Sequence, residues 1–221
     1  SDTGALAADA AFKVLAVVAV PAGAANGDTI TTTFTATTTY AVPAVATDTS
    51  TFTTTVQAAV MTVSKYVVDP ASNTTAVTSA KPGDIITYMM TAANSGTSLS
   101  YDLIYSDVIP ANTTYVAGSM KAGASTSYNT APNTLTDAND GYEFTAGTAP
   151  TTAQVGAYFD STNNKIILNK TQNPPQGNFY FQVRVNDNVP AGTVISNTMS
   201  IEYANVSGDP TRYTETSNAA T

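Results

Sequence analysis

The feature that most constrains this chain is an alternation of period two, bounded by turn residues. In "KPGDIITYMMTAANSGTSLSYDLIYSDVIP" (Lys81–Pro110), Ile86, Tyr88, Met90 and Ala92 fall on one face of an extended strand. Thr87 and Thr91 fall on the other, which Ile85 and Met89 make imperfectly polar. Pro82-Gly83-Asp84 opens the strand and Asn94-Ser95-Gly96 closes it, both with turn chemistry. Pro110 follows a strand end, where a missing N–H costs little.

Comparable runs predict strands near 61–68, 101–108, 113–117, 164–169, 178–186 and 193–203. No helical period is sustained. The fold class is therefore all-β, and closely spaced strands separated by turn clusters point to an Ig-like β-sandwich. Composition agrees. Only 11% of the 221 residues are charged, and Thr, Val and Ala dominate. Thr and Val are stiff at χ1 and fit a pleated surface.

The same composition excludes whole classes of function. Without Cys there is no disulfide, zinc-thiolate site or Cys nucleophile, and without His there is no Ser-His-Asp chemistry. No nucleophile–base pair is visible, so an enzyme is not expected. A net charge of −8 repels nucleic acid. No run reaches the roughly 20 apolar residues of a membrane helix, so membrane insertion is not expected either.

An internal repeat organises the chain. Phe12-x-Val14-x-Ala16 precedes Val20-Pro21-Ala22-Gly23, and Phe181-x-Val183-x-Val185 precedes Val189-Pro190-Ala191-Gly192 at the same spacing. A polar strand follows each, then Thr47-Asp48-Thr49-Ser50 in one copy and Thr214-Glu215-Thr216-Ser217 in the other. The first copy matches only the closing part of the second. The expected organisation is a partial β-domain over 1–60, supplying about three strands and opening in mid-domain, followed by a complete sandwich over 61–221.

Lys65, Asp69-Pro70, the Pro82-Gly83-Asp84 turn, Tyr88, Asn94-x-Gly96, Asp107-x-x-Pro110 and Tyr115-Val116 resemble, in that order, the Ig-like conserved-repeat domain of bacterial and archaeal surface proteins, known as domain of unknown function eleven. "TLTDANDGYEF" and "FYFQVRVNDNVPAG" resemble its later half. The resemblance implies a structural or adhesive module, extracellular or at the cell surface. It brings no catalytic residues.

Several residues are candidates for more than scaffolding. Asp137, Asn139, Asp140 and Glu143 crowd oxygen donors around Gly141, as Ca²⁺ requires, although not at EF-hand spacing. Calcium is the one candidate cofactor, and none is required by the fold; an ordinary acidic turn is the plainer reading. Four sequons place candidate glycans at Asn73, Asn112, Asn169 and Asn205. Tyr101, Tyr105, Tyr128 and Tyr142 could form a platform for surface glycans, or simply cover the core. Lys65 could form an amide with Asn197 or Asn218, promoted by Glu202 or Glu215, by analogy with pilins of Gram-positive bacteria.

The apolar run "KVLAVVAVPAGAA" (Lys13–Ala25) reads as a buried strand rather than a signal peptide, since Asp2 and Asp9 precede it. In a partial domain its Phe12, Val14, Leu15, Val17, Val18 and Val20 lack a sheet to bury them. Packing on the chain's own complete domain is one solution. The other is donation to a neighbouring copy by residues 5–20, making the chain its own partner in a head-to-tail homopolymer. The leading expectation is a structural subunit of an extracellular filament or surface layer. The alternative is an adhesin or ligand-binding module of a larger surface protein.

Overall fold

A computed structural model of the chain describes residues 13–21, 23–38, 47–123, 127–131, 133–137, 155–172 and 178–221. Among them there is no helix. Contacts divide the chain into two compact units, with the boundary between Val56 and Gln57.

The first unit contributes two strands, β1 (Thr29–Thr37) and β2 (Thr47–Thr55), paired antiparallel from Thr29↔Thr55 to Thr37↔Thr47. Thr at nearly every second position suits them to pleated backbone. Phe34 meets Phe52 edge-on with ring centroids 5.8 Å apart, yet Phe52 remains exposed. Among the described residues, these two strands share one aromatic contact, too little for a core of their own.

The second unit is an Ig-like β-sandwich. Its strands are β3 (Met61–Asp69), β4 (Ser72–Ala76), β5 (Ile85–Asn94), β6 (Tyr101–Val108), β7 (Thr113–Tyr115), β8 (Lys121–Gly123), β9 (Asn133–Thr134), β10 (Val155–Asp160), β11 (Lys165–Gln172), β12 (Asn178–Val185), β13 (Met199–Ala204) and β14 (Tyr213–Thr216). One sheet runs β4-β3-β5-β12-β8-β9, with β7 also on β12; the other runs β10-β11-β6-β13-β14. Every named pairing is antiparallel.

The inner faces follow the alternation. Met61, Val63, Ile86, Tyr88, Met90, Leu103, Tyr105, Phe181, Val183, Met199 and Ile201 bury together as one core. The second face of β5 is covered as well. Met89 packs with Val68 and Tyr180 in a small cluster capped by Tyr128 and Ala131, and Thr87 is buried beside it, its hydroxyl accepting from Gln182. That cover explains why this face is apolar at Met89.

Both turns flanking β5 have a local cause. Gly83 adopts φ +85°, and the Asp84 carboxylate accepts from the Lys81 N–H. At the far end, the Asn94 side-chain oxygen accepts from the Val60 and Gly96 N–H groups while its amide donates to the Ser98 carbonyl. Gly96 then lies so close to the β3 lead-in that a Cβ would sit 2.2 Å from the Ala58 carbonyl oxygen.

The strands expected near 61–68, 101–108, 113–117, 164–169 and 178–186 are present. The expectation over 193–203 needs correction: β13 starts only at Met199, and 193–196 belong to no strand. These residues follow the Pro190–Gly192 turn, and the next regular pairing is a single isolated bridge, Asn197↔Ala220.

Candidate functional site

The repeat is visible in the backbone. The Ala24 N–H donates to the Pro21 carbonyl and Gly23 has φ +86°; the Thr193 N–H donates to the Pro190 carbonyl and Gly192 has φ +83°. Each turn leads to an antiparallel hairpin, β1–β2 in the first copy and β13–β14 in the second. Before the turn the copies differ. In the second, β12 lies between β5 and β7/β8 with Phe181 and Val183 fully buried. In the first, Lys13–Val20 form no strand, and Val14, Leu15, Val17, Val18 and Val20 are 67%, 90%, 89%, 52% and 56% exposed. The expected buried strand is therefore corrected to an exposed apolar run. Phe12 lies outside the described residues.

Inside the sandwich, a second constellation stands out. Lys65 occupies an inward position on β3, in line with Met61 and Val63, and is fully buried. Asp107 occupies an inward position on β6, in line with Leu103 and Tyr105, and is buried too. The two meet across the sheets as an ion pair, Lys65 Nζ to Asp107 Oδ2. The rings of Tyr88 and Phe181 flank Nζ, with centroids at 4.6 and 4.7 Å. Asn197 is buried, and its carboxamide faces the same carboxylate.

Burial governs the charges here. Desolvation pulls the Lys65 ammonium down to about 8, against the opposing pull of Asp107. Desolvation also pushes the Asp107 carboxyl up, with Lys65 and then Asn197 acting against it. Both shifts run against the charged forms, yet at about 8 the lysine keeps its proton at neutral pH.

The backbone holds the group in place. Asn218 mimics a neighbouring strand: its Oδ1 accepts from the Lys65 N–H at 3.0 Å, and its Nδ2 donates to the Lys65 carbonyl at 2.8 Å. Asn197 exchanges two backbone hydrogen bonds with Ala220, at 3.0 and 2.9 Å. These arrangements correct the expected promoters. Glu202 and Glu215 are exposed, and Asn218 is committed to the Lys65 backbone. Asp107 is the acid that the sequence reading passed over. Its parity with Leu103 and Tyr105 was the available signal.

Other expected sites fare variously. Asp137 Oδ1 accepts from the Tyr115 hydroxyl at 2.6 Å and Oδ2 from the Gly118 N–H at 2.5 Å. Asn139, Asp140 and Glu143 lie outside the described residues, among which no cluster of acidic side chains could hold a metal. Two of the candidate platform tyrosines are occupied elsewhere. Tyr105 is in the core, and Tyr128 packs edge-on to Tyr180, under Lys121. Tyr142 lies outside the described residues. Of the sequons, Asn112 is exposed, Asn73 hydrogen-bonds the Tyr180 hydroxyl, and Asn205 accepts from the Ala59 N–H. Asn169 is buried, which closes it to a glycan and corrects that expectation. No described helix is long and apolar enough to cross a membrane.

The sandwich also carries an open groove of about 380 Å³, lined by Val67, Val77, Ala80, Ile86, Val194 and Ile195 among others.

No protein-family model matches this chain, and no curated protein is significantly similar to it. Solved structures do resemble it. BcpA, the major pilin subunit of Bacillus cereus, aligns at 14% identity with a TM-score of 0.44, over 72% of this chain and 39% of the pilin. The T6 backbone pilin of serotype M6 Streptococcus pyogenes aligns at 14% identity and 0.42, over 77% of this chain and 36% of that one. ACE19, the collagen-binding subdomain of the Enterococcus faecalis surface protein ACE, aligns at 13% and 0.40, over 72% of this chain and 94% of the subdomain. The chain spans well under half the length of the two pilins.

Proposed function

We propose that this chain is a structural subunit of an extracellular filament or cell-surface layer, assembled head-to-tail by β-strand addition and belonging with the Ig-like conserved-repeat surface domains. One observation carries the reading. The first copy reproduces the turn and hairpin that follow β12, but the described end of its counterpart of β12, residues 13–16, forms no strand and leaves Val14 and Leu15 exposed. In the second copy that strand is among the most buried of the sandwich.

Burying a Val or Leu side chain contributes roughly 1.5–3 kcal/mol, and this run has five exposed. Backbone outside any strand beside them also offers N–H and C=O groups that strand addition would pair. The groove between Val77–Ala80 and Val194–Ile195 supplies apolar walls next to backbone outside any strand, so we place the donated run of a neighbouring copy there. Donor and acceptor are different surfaces. The contact is heterologous and propagates unless it closes into a ring.

An adhesive module remains the second reading, but of the aromatic platform that glycan recognition would use, Tyr105 lies in the core and Tyr128 packs against Tyr180. Electron microscopy of the full chain and of a variant lacking residues 5–20 tests the proposal. The full chain should form ordered fibres or sheets, and the variant should stay folded and monomeric. Identical fibres from both, or a strictly monomeric full chain, would overturn it.

A further inference from the structure

We infer that β1 is an interior strand lacking its second neighbour, and that β1 of another copy fills the place. The two pair antiparallel about a two-fold axis, in the order β2-β1-β1-β2. The repeat carries the first half of this. β13, the counterpart of β1, lies between β6 and β14, whereas β14, the counterpart of β2, is an edge of its sheet. Among the described residues, the sheet of the first unit holds β1 and β2 alone, so one side of β1 has no strand beside it.

The sequences of the two strands agree with these roles. β2 carries Asp48, a charge of the kind that guards natural sheet edges. β1 reads TITTTFTAT, with no charge, no Pro and no Gly, and its nine pairs with β2 run without a bulge. The edges of the sandwich are guarded in other ways: β4, β9 and β14 have only 5, 2 and 4 residues, and β10 ends on Asp160. A regular, uncharged edge of nine residues is instead a template for pairing.

A second β1 is the occupant that fits. β6, which fills this place in the second copy, already has β11 on its other side, and the free edges of the sandwich are shorter than β1. Another β1 has the same length. Its lack of charge lets two chains of net charge −8 meet with no like charges opposite one another. Parity sets the register. Centred on Thr33, the pairing puts Thr33 against Thr33 and Thr32 against Phe34, so the threonine face of β1 stays whole and Ile30 and Phe34 share the other side. A slip of one residue would mix the faces. The two Phe34 rings become diagonal neighbours, within aromatic reach. Four strands also pass the size at which a sheet becomes stable, which two do not. A two-fold contact closes on itself. Nine residues a side fall short of the roughly 20–30 of a stable complex, so single copies pair transiently and copies held in a row pair by avidity.

Disulfide trapping in the full chain, which has no cysteine, tests the pairing. Thr33 meets itself on the axis. Thr33→Cys, oxidised and run on a non-reducing denaturing gel, should give one band at twice the chain mass and nothing larger. Thr35 is exposed on the same face as Thr33. Its twin would lie four residues along, about 14 Å away and beyond disulfide reach, so Thr35→Cys should give roughly tenfold less dimer. No dimer from Thr33→Cys, equal yields from the two variants, or a dimer from Thr35→Cys alone would overturn the inference. Both positions are exposed, so neither change disturbs a core. The pairing uses neither the donated run nor the groove. The gel therefore reads the same with or without fibres, and failure of head-to-tail assembly is told apart from failure of the β1 pair.

Discussion

Lys65 and Asp107 face each other from opposite sheets of the sandwich, both buried, with two aromatic rings closing over the lysine nitrogen. Their value to stability depends on what they do. A buried ion pair alone can be replaced by apolar residues at little or no cost. Removing one partner instead leaves an uncompensated buried charge, at about 3–5 kcal/mol. The single variant Asp107→Leu and the double variant Lys65→Met with Asp107→Leu separate these cases. The single variant should lower Tm by on the order of 10 °C by calorimetry, and the double variant should recover most of that loss. A double variant that melts as low as the single one would contradict this.

Gly96 is the tightest point of the fold. A Cβ there would lie 2.2 Å from the Ala58 carbonyl oxygen and 2.6 Å from the Val60 nitrogen, both backbone atoms that cannot swing aside. Gly96→Ala should therefore destabilise the sandwich by about 1–3 kcal/mol in denaturant titration. Gly118→Ala meets no atom within 4 Å and suffers only the left-handed φ of +72°, so it should cost about 1 kcal/mol. Equal losses would contradict the packing argument.

The pairing parity explains how much of this was legible beforehand. On β5, β6 and β12 the apolar alternation is strong, and the strands appear where it places them. The same parity, read one step further, puts Asn197 in phase with Met199, Ile201 and Tyr203, and puts Glu202 out of phase, facing water. The Asp107 and Lys65 positions follow by the same rule. What parity cannot supply is the partner of a strand. Val14–Val20 has the composition of a buried strand, but burial depends on a sheet to pair with, and the described sheet of the first unit has only β1 and β2, paired with each other. Residues 193–196 look like strand for the same local reasons and pair with nothing regular.

Asp137 ties the loop after β9 back to β7, through the Tyr115 hydroxyl and the Gly118 N–H. Hydrogen bonds to an ionised group contribute about 1.5–3 kcal/mol, so Asp137→Ala should lower stability by that order. Since both carboxylate oxygens already accept a donor, EGTA should leave the Tm of the unaltered protein unchanged. A chelator-induced drop would instead assign the turn to calcium.

Alkaline pH should destabilise the sandwich through its buried tyrosines. Burial raises the Tyr88 and Tyr105 hydroxyls far above the usual tyrosine range, with the Asp107 charge adding to the effect at Tyr88. Unfolded tyrosines ionise near pH 10, so above that pH the unfolded chain holds fewer protons than the folded one. Stability is then intact below about pH 10 and falls as pH rises, by up to about 1.4 kcal/mol per pH unit for each such group. Phenolate absorbance should rise cooperatively with unfolding. Smooth ionisation of all twelve tyrosines in the folded protein would contradict this.

The central claim is that the exposed apolar run of one copy occupies the groove of the next. The chain has no cysteine, so a designed pair reports on it without background. Val17→Cys combined with Val194→Cys, oxidised and run on a non-reducing gel, should give a ladder of covalent multimers. That ladder should vanish when either cysteine is omitted. A product that remains monomeric at every protein concentration, whether bridged within one chain or not bridged at all, would contradict donation between copies.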